Sequence, residues 1–488
     1  METALRVLFV TPEISPYAIS GELAEFAGSL PRHLQDLGAE VSVILPRYRV
    51  PEIEALAVEP VFPELWVPLG EESVRASVWK AETEGRTVYL VDHPRYFGRD
   101  KIYGTPREEY PDNDERFIFF NRAVLEFIVQ SGLETDVLHC HNWPAALIPV
   151  FLKTHYAGED VLRGTAVVFT LHNALFQGEF PAESLALTGL DWNLFAARKL
   201  SVNGRFNFLK SGVAFSDALS TVSAAYRKEL LSGKDAVLAG LLRPRSKRFF
   251  AVRNGIDLDA WNPATDPHIP VRYAPDDPSG KAECKSALAA EFGLEAGRNT
   301  PLLAFVAHLT PHKGLDLLLE SAPSMVRLGF ALVVAGLGDE RSRQSVSRLS
   351  KAHPGRIGVK FDMGPALSHR IVSGADMMLI PSREEPCGLN QLTAFRYGTV
   401  PVARAVGGLK ETVRPFRSGR AGGNGFLFRG YNRRALLDAL KRARDCFRRP
   451  DCWAAVMQEG FRERPGWEEA ARSYMELYRT ALKLRRGA

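Results

Sequence analysis

At 488 residues the chain is too long for one hydrophobic core, and two large domains are the expectation. Hydrophobic residues make up 45% of it and charged residues 24%, the balance of an ordinary globular protein rather than a disordered or fibrous one. Net charge is +5, from 62 basic and 57 acidic residues spread along the chain, which argues against a nucleic-acid binder and suits a site for a phosphorylated small molecule. The densest basic run, Arg243-Pro-Arg-Ser-Lys-Arg248, is short and reads as a solvated loop. The five cysteines are scattered, without a CxxC pair or a Cys/His metal spacing, so free thiols, a reducing cytoplasm and no metal are expected. No basic and apolar leader precedes the strand that begins at Leu5, and no apolar run is long enough to span a bilayer, which predicts a cytoplasmic protein without a membrane partner.

Short apolar runs alternate with helical periodicity, the pattern of parallel sheets built from βαβ units. In the first half, strands are predicted at 5–11, 40–46, 136–141, 166–172 and 218–222. Helices fall at 23–36, 114–130, 144–155, 206–212 and 224–231. The stretch 74–92 alternates in period two around Glu84-Gly85 and reads as an inserted hairpin. Between 254 and 299 the chain is rich in Pro, Asp and Gly and reads as an irregular linker. A second series follows, with strands at 302–307, 331–335, 358–361, 377–381 and 399–403. Its helices lie at 315–325, 341–349, 366–373 and 389–397, and a last helix at 467–482 follows Pro465. The expected division is therefore a first domain at 1–253, a linker at 254–299, a second domain at 300–464 and a terminal segment at 465–488.

Open α/β sheets bind ligands outside the carboxyl ends of their strands. Pro381-Ser-Arg-Glu-Glu-Pro-Cys-Gly-Leu-Asn-Gln391 places Glu385 at such an end, just before an amphipathic helix; a lone Glu there reads equally well as a helix-dipole partner. Lys313-Gly314 sits where a strand turns into a helix, so an ammonium and backbone amides together suit a diphosphate, although a surface-turn lysine looks the same. Gly407-Gly408 permits close backbone approach before a helix, either to phosphate oxygens or simply in a tight turn. His172 ends the run Val167-Val-Phe-Thr-Leu171 and taken alone reads as a packed histidine. His139 and His141 share a strand face, but without a carboxylate or cysteine cluster a structural or sugar-contacting role is the better reading than a metal pair. No Gly-x-Gly-x-x-Gly follows the first strand, which counts against a dinucleotide dehydrogenase.

Taken together, the segments resemble the glycogen/starch synthases, glucosyltransferases that use a nucleotide sugar. The likeness runs in order through Thr11–Glu25, Pro46-Arg-Tyr48, Asp112–Phe117, Asp136–Trp143, Phe169–Gly178, Asn203–Lys210, Asn254-Gly-Ile-Asp257, Leu309–Leu315, Pro381–Gln391 and Val406-Gly-Gly-Leu409, nearly the whole chain. It implies an α/β fold of two facing Rossmann-like domains (GT-B) with a cleft between them and a final helix returning to the first. It implies transfer of glucose from ADP-glucose to the non-reducing end of an α-1,4-glucan with retention, and needs no metal or other cofactor. His172 and Glu385 would be catalytic. Lys313, His308, Ile19, Gly21, Gly407, Gly408 and Asn254 would serve the donor. His141, Asn142, Asn173, Gln177 and Asn113 would serve the transferred sugar or the acceptor.

The chain departs from the family's pattern at the donor phosphates. The family's first loop reads Lys-x-Gly-Gly-Leu, where this sequence has Ile19-Ser-Gly-Glu-Leu23, and its Ser-Arg-Leu stands here as Ala307-His308-Leu309. Two of three cationic contacts are replaced and Glu22 adds a carboxylate. At roughly 1.5–3 kcal/mol for each lost charge-assisted bond, the rate would fall by about 10²–10⁴-fold, with His308 recovering part of one contact when protonated. Two alternatives stay open: a degenerate paralogue that binds glucan, and a transferase of the same fold with another donor. A related sugar-transferase family with two Glu separated by seven intervening residues is disfavoured, because Thr393 stands at the second position after Glu385.

Overall fold

The computed structural model describes residues 4–105, 108–233, 235–362, 364–417 and 422–487. Contacts divide the chain into two units, Met1–Asn254 with Trp467–Ala488, and Gly255–Gly466.

The apolar runs of the first unit become a nine-stranded sheet. Its order is Phe249–Ala251, Ala218–Thr221, Ala166–Leu171, Val137–His141, Arg6–Val10, Glu40–Pro46, Arg86–Asp92, Glu72–Thr83 and Glu59–Leu69. The first seven are parallel; Glu72–Thr83 pairs antiparallel with Arg86–Asp92, and Glu59–Leu69 antiparallel with Glu72–Thr83. Val137–His141 and Ala166–Leu171 are buried at every position, as strands covered on both faces must be. Chain order reverses between Arg6–Val10 and Val137–His141, so the loops leaving these two neighbours open the crevice where such sheets bind ligands. The predicted hairpin is present, turning at Glu84 and Gly85, both with positive φ.

The second unit holds six parallel strands in the order Ile357–Lys360, Ala331–Ala335, Leu302–Val306, Met377–Ile380, Val400–Arg404 and Phe426–Phe428. In chain order this is 3-2-1-4-5-6, the dinucleotide-fold arrangement, with its switch point between Leu302–Val306 and Met377–Ile380.

The last helix, Glu468–Arg486, belongs to the first unit. Its buried residues Ala470, Ala471, Tyr474, Leu477, Tyr478 and Ala481 recur at three- and four-residue spacing, the stripe a packed helix needs. Trp467 and Tyr474 meet the Phe26 ring edge-on, each at 5.6 Å.

Several elements differ from expectation. The predicted helix at 144–155 is broken into the turn Trp143–Ala145 and the helix Ile148–Lys153, each with a proline in its first turn. Residues 205–207 form a short strand, and Asn207 then caps the helix Phe208–Phe215. The stretch read as irregular contains a helix, Lys281–Glu291, packed on Pro365–Gly374, with Lys285 paired to buried Asp376 at 2.7 Å. Glu59–Leu69 escaped notice because Pro60, Pro63 and Pro68 mark it as an edge strand. The helices Arg433–Phe447 and Pro450–Phe461 were also not anticipated.

The expectation of five free thiols needs correction. Cys446 and Cys452 form a disulfide across the turn between those two helices, with Cα atoms 5.3 Å apart, while Cys140, Cys284 and Cys387 are buried thiols. The crosslink closes a short loop, which corresponds to about 2 kcal/mol of stability. The Cys446→Ser/Cys452→Ser variant should therefore have a lower denaturation midpoint than the oxidised protein, and reductant should erase the difference. Equal midpoints under oxidising conditions would mean the bond constrains nothing.

Candidate active site

In the second unit, the loop leaving Leu302–Val306 makes a single turn, Pro311–Lys313, and ends at Gly314 with φ +87°. A Cβ at Gly314 would lie 2.5 Å from the Pro381 carbonyl oxygen, so only glycine lets this loop press on the end of the neighbouring strand. Arg383 N–H donates to His312 O at 2.8 Å and ties the two loops further. The result brings Lys313 to Glu385: Nζ donates to Oε1 at 2.8 Å and to Oε2 at 3.0 Å. Ser382 Oγ donates to Oε2 at 2.8 Å. Glu385 is buried and Lys313 half-buried, so the carboxylate is oriented from two sides by a hydroxyl and a partly exposed lysine. His308 is exposed on the same loop as Lys313.

Gly407 and Gly408 pack tightly against the loop that carries Glu385. A Cβ on Gly407 would fall 1.9 Å from Glu385 O, and one on Gly408 2.2 Å from Cys387 O. Gly408 N–H donates to Glu385 O at 3.0 Å and Pro386 O at 3.2 Å, so it is committed to protein rather than open to a phosphate. The pair forms a seat for the Glu385 backbone. Gly407 also has φ +47°, and Gly407→Ala should push the carboxylate out of place, costing activity without needing to touch any ligand. Activity and stability of that variant equal to the parent's would refute the seat.

In the first unit, four of the predicted residues come together at adjacent strand ends. Asn142 adopts φ +55°, and its Oδ1 accepts the backbone N–H of His172 at 2.9 Å and of Asn173 at 3.4 Å. His141 Nδ1 lies 3.2 Å from His172 Nε2. Behind them, His139 Nε2 meets Thr170 Oγ1 at 2.7 Å and its Nδ1 meets Tyr478 Oη at 2.8 Å. Burial drives His172 down to about 3 and holds His139 and His141 well below the usual imidazole range, so all three are neutral at physiological pH. The edge of Phe26 packs on His172 at 4.5 Å.

The remaining residues are dispersed. Gln177 Oε1 accepts from Asn207 Nδ2 at 2.8 Å and anchors the loop after His172. Asn113 is 1% exposed, its Nδ2 donates to Tyr103 O and its Oδ1 accepts from Arg116. Asn254 is buried, and its Oδ1 has no hydrogen-bond partner among the described residues. Ile19 is 55% exposed. Ser20 and Gly21 both give their N–H groups at 2.8 Å to Oε2 of Glu13, whose Oε1 accepts from Tyr103 at 2.6 Å. Burial raises the Glu13 carboxyl, opposed by those three donors. Glu13 and Ser382 were passed over in the sequence. Glu13 closely follows the first strand, the same signal that singled out Glu385.

Comparison with known proteins agrees with this architecture. Residues 6–244 match the family model described as the starch synthase catalytic domain, and residues 290–448 match glycosyl transferases group 1. The chain is 40% identical over 478 residues to a glycogen synthase of Anaeromyxobacter dehalogenans, covering 98% of this chain and 99% of the relative. It is 37% identical over 484 residues to glycogen synthase 2 of Geobacter metallireducens, covering 99% and 100%. Among solved structures, the catalytic domain of starch synthase IV from Arabidopsis thaliana, bound to ADP and acarbose, matches with a TM-score of 0.91 at 30% identity, covering 98% of this chain and all of that one.

Proposed function

Since the chain belongs to the glycogen/starch synthase family, whose members transfer glucose from ADP-glucose to an α-1,4-glucan, we propose that Lys313, Glu385 and His172 carry that transfer here. The chain is a hexosyltransferase of this type. Its donor is ADP-glucose, and its acceptor is the non-reducing end of the glucan.

The Lys313–Glu385 pair is the observation that carries the residue assignment. Breaking the bond between the anomeric carbon and the diphosphate separates charge. Negative charge gathers on the departing phosphate, and positive charge spreads over the ring oxygen and anomeric carbon. A fixed ammonium next to a fixed carboxylate opposes both, provided neither has to reorganise as the bond breaks. Ser382 and the Gly407-Gly408 seat supply that fixity to Glu385. Lys313, whose side chain is partly exposed, is the member assigned to the phosphate oxygens. The neutral imidazole of His172 adds a hydrogen bond to the transferred glucose without adding charge. Departure of the diphosphate and attack by the glucan hydroxyl on the same face, with the hydroxyl proton passing to the departing phosphate oxygen, then gives retention.

The replacements Ile19, Glu22 and His308 favour a weaker enzyme over an erased one, because the Lys313–Glu385 pair is intact. Transfer of labelled glucose from ADP-glucose and from UDP-glucose into glycogen by the purified protein tests the reading. Incorporation from ADP-glucose is expected. Incorporation from neither donor would leave a glucan-binding protein, and a preference for UDP-glucose would reassign the donor.

A further inference from the structure

His141 is fully buried, and its two ring nitrogens are in different positions. Nδ1 faces His172 Nε2 at 3.2 Å, whereas Nε2 has no hydrogen-bond partner among the described residues. The rings of Phe9 and Phe26, each centred 5.2 Å away, offer it no acceptor oxygen. With both imidazoles neutral, a single proton lies between them, and its owner sets the tautomer of each ring.

If His172 donated, the proton of His141 would sit on Nε2 as a buried N–H with nothing to accept it. If His141 donates, only a lone pair goes unmet. Buried donors left orphaned are rarer than under-satisfied acceptors, so the second arrangement is favoured. We propose that His141 is a positioning residue: it carries its proton on Nδ1, donates it to Nε2 of His172, and so holds His172 as the Nδ1–H tautomer. Asn142 fixes the backbone of His172 and Asn173 from the same strand end, so ring and main chain are both oriented. His172 then meets its ligand as a hydrogen-bond donor and selects an oxygen acceptor, which, given the assignment of His172 to the transferred glucose, is a hydroxyl or ring oxygen of that sugar.

Nitrogen-15 NMR of histidine-labelled protein reads the tautomer without any substrate, with the His172 signals identified by their loss in His172→Gln. The expected spectrum has a protonated Nδ1 and an unprotonated Nε2 for His172; the reverse overturns the proposal whatever the activity. In His141→Leu the tautomers of His172 should mix, and kcat with ADP-glucose should fall about 10–100-fold, the range for outer partners that orient an imidazole, with little change in KM for glucan. His141→Asn, which retains an N–H donor, should recover most of the loss; equal losses in both variants would overturn the role. Should His141→Leu fail to fold, the parent spectrum still decides. An unchanged rate in His172→Ala alongside the expected tautomer would remove the catalytic role of His172 and leave the tautomer lock standing.

Discussion

Glu385→Ala will lower kcat/KM for ADP-glucose by at least about 10²–10³-fold, the cost of removing one preorganised group from a developing charge, while glucan affinity stays nearly intact. His172→Ala should do the same, since both are assigned to the transferred sugar rather than to the polymer. Unchanged turnover in either variant would remove that residue from the catalytic centre. The pair also predicts an asymmetry in stability. Side-chain exposure is 29% for Lys313 and 4% for Glu385. Lys313→Ala takes the cation from a buried carboxylate and leaves it the Ser382 hydroxyl, and an uncompensated buried charge costs about 3 kcal/mol or more. Glu385→Ala leaves a partly exposed lysine that can turn to solvent, a loss nearer the roughly 0–1 kcal/mol of surface pairs. The lysine variant should therefore denature at clearly lower urea concentration. Equal midpoints would mean that the carboxylate is not held as the geometry indicates.

Much of this site was legible because α/β chemistry is local. A buried run ending in a polar residue marks a strand's carboxyl end, and Glu385, His172, Asn142 and Lys313 all lie just beyond such ends. What could not be read is what each atom is bonded to. Gly407-Gly408 and a phosphate loop share a sequence signature, yet one packs against the Glu385 carbonyl and the other would leave its amides open. Asn113 opens a helix like a sugar-binding amide, but Arg116 one turn later takes its oxygen. The strand Glu59–Leu69 hid behind its prolines, and the disulfide hid in an ordinary six-residue spacing that carries no motif. Each failure comes from tertiary partners that no local pattern encodes.

The triple change Ile19→Lys, Glu22→Gly, His308→Arg should raise kcat/KM for ADP-glucose, approaching the 10²–10⁴-fold bound of two charge-assisted contacts at low ionic strength. The structure makes the experiment clean. Ile19 is exposed, and the two residues after it are pinned through their amides to Glu13, so a lysine would project from a turn whose backbone is already fixed. His308 is exposed beside buried Leu309, so the longer arginine side chain has room toward solvent. Glu22 opens the helix Glu22–Gln35, where an acidic side chain favours the dipole by about 0.3–1 kcal/mol, and its loss should lower the melting temperature slightly. The gain in rate should shrink in high salt, because solvent-exposed ion pairs weaken as ionic strength rises. Ile19→Lys alone should give part of the gain and none of the stability loss, which separates phosphate contact from a change in helix stability. A triple variant with neither faster transfer nor tighter ADP binding would show that these positions do not serve the phosphates. The case for a weakened donor site would then fall, and the Lys313–Glu385 pair would stand without it.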